Sequence, residues 1–300
     1  MSSRRLGLAA MAAGLAMAAG AAHADPLMES GGLLDSGKLL LTGGVSNIEG
    51  ASGGGIATWA TIAGYESNDG VGGNVHGTFV GTPNYSLTDY GAAVGLFNRL
   101  ELSYAHEAFD TGSTGKELGL GQGFTFGQDV YGAKVRVIGD LVYDQNTLLP
   151  QIAAGVQYKV NDQPAIVHAV GAVSNSSTDF YIAATKLFLN YNLLVDTTVR
   201  FAKGNQTGLL GFGGDKGGDA YKAAFEGSLA YLIDKHWAVG AEVRTKPNNL
   251  GFAREDTWYD VFAAYAINKH VSATIAYANL GSIATIPNQN AVYVSLQAGF

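Results

Sequence analysis

Apolar and polar residues alternate through most of the chain in segments of roughly ten residues, the period of a half-buried strand. In "DAYKAAFEGSLAYLI" Tyr221, Ala223, Phe225, Leu229, Tyr231 and Ile233 share one face, and Lys222, Glu226 and Ser228 the other. Trp237, Val239, Ala241 and Val243 oppose Glu242 and Arg244; Leu193, Val195, Val199 and Phe201 oppose Asp196, Thr198 and Arg200. Tyr131, Ala133, Val135 and Val137 oppose Lys134 and Arg136. Beyond residue 24 no apolar run is long enough for a membrane helix, so a membrane-spanning form must be a closed sheet, which leaves no backbone group unpaired in lipid. The pattern predicts an all-β, antiparallel up-and-down transmembrane barrel of about 14 strands. Its strands begin near Lys38, Ile56, Gly73, Tyr85, Leu100, Asp129, Gln151, Asp179, Leu193, Ala220, Trp237, Trp258, Val271 and Ala291. Alternatively, the glycine-rich stretch from Gly43 to Gly55 is a plug or an arm, leaving about 12 strands.

Connections alternate in length. Tight ones at Asn98-Arg99, Tyr191-Asn192, Asp234 to His236 and Asn268 to His270 belong to the periplasm. Long ones, Asp110 to Gln128, Asn161 to Thr178, Lys203 to Asp219, Thr245 to Thr257 and Asn279 to Asn290, face outward. The stretch from Gly139 to Leu149 is longer than its periplasmic side predicts. No proline falls inside an expected strand, as a ladder that uses every backbone donor demands. Aromatic belts are expected from Tyr104, Tyr131, Tyr158, Tyr181, Tyr221, Trp258, Tyr259 and Tyr277 on the outer side, and from Tyr231, Trp237, Tyr265 and Phe300 on the periplasmic side. A lipid-facing lysine at mid-depth costs about 2–4 kcal/mol. Lys186 is therefore expected inside, with Phe180 and Ile182, which puts Tyr181, Thr185 and Leu187 outside.

The N-terminus reads as an export signal: Arg4 and Arg5, an Ala/Gly/Leu/Met run, then Ala22-His23-Ala24 as the cleavage pattern. The expected organisation is a cleaved signal peptide over 1–24, an N-terminal periplasmic arm over 25–37 and a single β-barrel domain over 38–300. Losing Arg4 and Arg5 with no acid takes the net charge from −7 to −9, which disfavours nucleic acid as a partner. Absence of cysteine excludes disulfides and thiolate metal sites.

The stretches "LLGFGGD" (209–215), "NLGFARED" (249–256), "NKHVS" (268–272) and "SLQAGF" (295–300) resemble an uncharacterised proteobacterial outer-membrane family of unknown function. That resemblance implies a bacterial outer-membrane location and brings no active or binding residue. The ending "NAVYVSLQAGF" resembles the C-terminal signal of outer-membrane barrels, which implies recognition of Val294, Leu296 and Phe300 by the barrel-assembly machinery.

Twelve charged residues are expected on the lumen wall: Glu101, Glu107, Lys134, Arg136, Lys159, Asp196, Arg200, Lys222, Glu226, Glu242, Arg244 and Asp260. Their mixed signs suit a water-filled path selecting small polar or charged solutes, and equally suit paired charges bracing a closed interior. Leu-Gly-Phe recurs at 210–212 and 250–252, so Phe212 and Phe252, with Asp215 and Arg254 at a polar rim, are lid candidates. The expected function is a channel or facilitator for a small solute, non-enzymatic, without cofactor or metal, monomeric in outer-membrane lipid. A structural or surface-interaction barrel is the alternative. The third reading, a lipid-edge hydrolase, rests on His106 or on Glu107 with a serine and His168.

Overall fold

The computed structural model describes residues 37–43 and 45–300; the expected signal peptide and nearly all of the expected arm lie outside them. Twelve strands form one closed antiparallel barrel: β1 Val71–Gly81, β2 Ser86–Leu96, β3 Leu100–Asp110, β4 Thr125–Ile138, β5 Gln151–Asn161, β6 Ser176–Phe188, β7 Leu193–Ala202, β8 Lys222–Leu232, β9 Trp237–Arg244, β10 Trp258–Ala266, β11 Val271–Asn279 and β12 Asn290–Gly299. Each strand pairs with its sequence neighbour, and β1 closes the ring against β12, from Asn74↔Gly299 to Gly81↔Val292. An 11-residue strand at ~3.3 Å per residue, tilted ~40°, rises ~28 Å, close to the thickness of the hydrocarbon layer.

Burial is inverted relative to a water-soluble protein. Leu102, Ile182, Leu229, Val261 and Ile275 are more than half exposed on the outer wall, while charged and amide side chains fill the inside. Only lipid on the outer face makes that distribution favourable. Phe300 stands outward with Val292 and Val294, and its backbone pairs with Gly73 and accepts from Tyr65 N–H (2.9 Å).

Fourteen strands were the first expectation from the alternation, and twelve are present, matching the plug alternative. Neither the segment from Lys38 nor that from Ile56 is a strand. Residues 37–43 and 45–70 enter the lumen from the periplasmic end, reach the outer half near Glu49 and return. Glycine makes this possible. A Cβ on Gly54 would overlap the Glu242 carboxylate, and one on Gly95 of the wall would overlap the carbonyl of Ala63. The long periplasmic connection between β4 and β5 also has a reason for its length. It folds across the barrel mouth, where Leu141 joins a buried cluster with Trp59, Leu187 and Leu194.

Candidate functional site: the plugged lumen

A chain threaded through a barrel has no ladder to satisfy its peptide groups, yet buried N–H and C=O groups need partners. Some pair within the segment, as Asn47 N–H does with Ala51 O (2.9 Å) and Gly54 N–H with Ala57 O (3.0 Å), and side chains of the wall supply others. Glu101 accepts from Ser52 N–H (3.1 Å) and Ala63 N–H (2.9 Å); Glu242 accepts from Gly55 N–H (2.7 Å) and Ile56 N–H (2.9 Å). Glu226 accepts from Thr58 N–H (2.8 Å), and Lys134 donates to the carbonyls of Ser52 and Trp59, both at 3.1 Å. Gln297 both accepts from Ser46 N–H (2.8 Å) and donates to its carbonyl (3.0 Å). Near the periplasmic mouth Lys38 staples the plug to itself, donating to Ile62 O (2.8 Å), Gly64 O (3.0 Å) and Glu66 (2.9 Å).

At the plug's far point Glu49 meets three wall cations: Lys159 Nζ at 2.5 Å, Arg244 Nη2 at 2.7 Å and Arg200 Nη2 at 3.4 Å. Asp179 lies 2.8 Å from Lys159, and Glu226 lies 2.5 Å from Arg200. Three carboxylates thus face three cations, all buried, so the cluster is neutral only while Glu49 is present. Removing one partner of a buried ion pair strands charge in a poorly solvating interior. Lys159 also donates to Thr207 O (3.2 Å), and Asn161 donates to Leu209 O (2.9 Å). The connection from β7 to β8 therefore dips into the outer mouth and meets the wall just above the plug.

Of the twelve lumen candidates, eleven are buried on the inner face and Lys222 is half-buried, donating to Asn248 O (3.4 Å). Seven of them touch the plug or the cluster around it: Glu101, Lys134, Lys159, Arg200, Glu226, Glu242 and Arg244. Arg136 also reaches the plug segment, donating to Asn68 (3.0 Å) as well as pairing with Asp140 (2.8 Å). Glu107 accepts from Gln128 (2.9 Å), and Asp196 from Thr185 (2.6 Å). Among the lid candidates Phe212 is fully buried, its backbone bridged to Ser174 and Gly204, and Phe252 packs on a cluster of Val167, Leu210 and Leu250. Asp215 and Arg254 are exposed; Asp215 accepts from Gly251 N–H (2.8 Å), and Arg254 pairs with Asp256 (3.0 Å). Outside the strands, burial lowers the pKa of Lys246, opposed by Glu255 at 2.8 Å.

Three expectations are corrected. Lys186 is on the outer face with Phe180 and Ile182, while Tyr181, Thr185 and Leu187 point inward. It escapes the cost of facing lipid because it stands at the periplasmic rim, where the β4–β5 connection covers it and offers the carbonyls of Asp144 (2.5 Å) and Leu149 (3.0 Å). Tyr181 and Trp258 are likewise inside rather than in a lipid belt, lying against Arg200 (4.9 Å) and Lys246 (4.0 Å). The proposed catalytic grouping does not assemble either. Glu107 faces the lumen, His168 sits in the outer-loop helix Pro164–Ala169 bonded to Ala172 O (3.0 Å), and His106 faces outward toward Asp129 (2.8 Å).

Sequence reasoning did not single out Glu49, Asp179, Lys38 or Glu66. Glu49 could have been suspected as the one acid inside the Gly43–Gly55 stretch.

The model of a family described as "Protein of unknown function (DUF3034)" matches residues 42–297. The chain belongs to this family. That match includes most of the plug segment, so plug and barrel fall within one family unit. No curated protein matches the chain. Among solved structures it is similar to the KdgM porin, with 12% identity over 76% of this chain and 99% of that one and a TM-score of 0.50. An outer-membrane channel from Pseudomonas putida F1 shares 14% identity over 77% of this chain and 95% of that one, TM-score 0.47. Outer membrane phospholipase A from Escherichia coli shares 12% over 79% and 94%, TM-score 0.42. The likeness to the KdgM porin speaks to the fold, which is that of an outer-membrane barrel.

Proposed function

We propose that this family member is a gated outer-membrane channel for small polar or charged solutes, closed by its own N-terminal segment. The observation that carries the reading is the Glu49 contact with Lys159, Arg200 and Arg244. In the closed state the plug neutralises the wall; once the plug withdraws, the same residues line a mixed-charge path that sets selectivity. Backbone hydrogen bonds to wall side chains are individually modest and exchangeable for water, which suits a segment that moves. Val294, Leu296 and Phe300 serve as the contact for barrel assembly in this proposal.

A reversible tether tests it. Ser46 Oγ donates to Asn74 Oδ1 at 2.9 Å, linking plug to wall, and the chain has no cysteine of its own. Protein carrying Ser46→Cys and Asn74→Cys, placed in planar bilayers, should be silent when oxidised and show conductance steps after reduction. Silence in both states, with the free thiols confirmed, would favour the second reading. In that reading the paired interior simply braces a structural or surface-interaction barrel.

A further inference from the structure

The outer half of the lumen contains a cavity that the charge cluster does not occupy. Ile48 and Ile56 of the plug, Phe109 of β3, Leu209 and Ile283 of the outer connections, and Leu280 enclose it, so nearly all of its surface is apolar. Its volume, as space open to the centres of water molecules, is about 60 Å³. At roughly 10–15 Å³ of such space per water, and about 30 Å³ of liquid volume for each, it has the room of about four to six waters.

Three buried polar atoms without a partner belong to residues of the lining: Trp258 Nε1, Asp260 Oδ1 and the Tyr293 hydroxyl. Trp258 and Asp260 stand two residues apart on the inner face of β10, each about nineteen-twentieths buried, and both line the cavity. Trp258 Nε1 and Asp260 Oδ1 have no hydrogen-bond partner in the protein. A buried donor and a buried acceptor without partners are rare and call for a reason. If this space were only packing, apolar side chains of the same shape would serve better.

We propose that the cavity is a binding site for a small, uncharged aromatic alcohol of the phenol class. One hydroxyl group satisfies both atoms, its oxygen accepting from Trp258 Nε1–H and its hydrogen going to Asp260 Oδ1. Anions are disfavoured because Glu242 lies directly across from Asp260 on β9. Cations are disfavoured by Lys246, whose Nζ sits 4.0 Å over the Trp258 ring, and by a lining that solvates neither sign. A flat ring finds ring partners in the stacked Tyr85–Phe109 pair, whose centroids are 5.2 Å apart. The site is complete with the plug in place, so it does not depend on the gating proposal.

The test uses the whole protein in lipid nanodiscs with 4-fluorophenol, observed by fluorine NMR, and fluorobenzene as the probe without a hydroxyl. A saturable resonance distinct from the free and lipid-dissolved signals is expected for 4-fluorophenol, with fluorobenzene binding about tenfold or more weakly. Ala278→Phe, which fills the cavity from β11, should abolish the resonance. Asp260→Ala and Trp258→Phe should each weaken 4-fluorophenol about tenfold while leaving fluorobenzene unchanged. Trp258→Phe keeps a ring in the wall and so stays informative if Ala278→Phe fails to fold. Absence of a saturable resonance, or its persistence in Ala278→Phe, would overturn the site. Equal binding of the two probes, or no effect of removing either polar partner, would overturn the hydroxyl recognition.

Discussion

Glu49→Ala is the perturbation that bears hardest on the proposed gate. In the closed barrel the Glu49 carboxylate is within 2.7 Å of both Lys159 and Arg244 and within 3.4 Å of Arg200. Truncation leaves three buried cations against Asp179 and Glu226 alone. Breaking a buried pair in this way costs about 3–5 kcal/mol. Asp179 and Glu226 remain to share the excess charge, so the lower end of that range applies. With the plug withdrawn the same cations are hydrated and the penalty vanishes, so the whole cost falls on the closed state. At about 1.4 kcal/mol per factor of ten, the closed-to-open ratio should fall on the order of 10²-fold. Single-channel recording reads this directly as open probability, with the heat-dependent gel mobility of folded barrels as the check that the variant is folded. Glu49→Gln should fall between Ala and the native residue, because an amide keeps hydrogen bonds without the charge. An open probability unchanged in a folded Glu49→Ala barrel would refute the reasoning, since the cations would then have to be satisfied without the plug.

Other outcomes follow from the same geometry. Gly54→Val should raise open probability as Glu49→Ala does, because any side chain there collides with the Glu242 carboxylate; a silent, folded variant would contradict the placement. Arg200→Ala, recorded with the Ser46–Asn74 tether reduced, should move the reversal potential in a salt gradient toward cation preference, and an unmoved potential would argue against a wall that selects. Lys186→Met should leave conductance alone but loosen the β4–β5 connection by roughly 1–3 kcal/mol, read as faster proteolysis within residues 140–149.

Much of the barrel was legible because side-chain period is a local property. Faces assigned in β4, β7, β8 and β9 from alternation match the observed inner and outer residues, down to Arg136 inside and Val137 outside. The plug was less legible. Residues 38–66 have enough apolar positions to imitate strands, and a segment that hydrogen-bonds to side chains leaves no periodic trace. Lys186 shows the limit from another side. The rule that a charge avoids lipid is sound, but it overrode the stronger evidence of Phe180, Ile182 and the β6 alternation, because the rim contact with Asp144 and Leu149 depends on a connection far away in sequence. Trp258 was misplaced for a related reason, since an aromatic near a strand end suits a headgroup belt and a cation in an overhanging loop equally well. At the candidate site the cations were readable from alternation, but their common partner, Glu49, was not, because only the fold brings it between β5, β7 and β9.

Backbone hydrogen exchange on the intact protein in lipid tests the central claim, that residues 45–66 reside in the lumen held by wall side chains. The amides of Gly55, Ile56, Thr58, Ala60 and Ala63 each donate to a wall side chain. Peptides covering them should exchange on the slow timescale of the strands, and Glu49→Ala should speed them without speeding the strands. Exchange of those amides within seconds, as in an unstructured chain, would contradict the account.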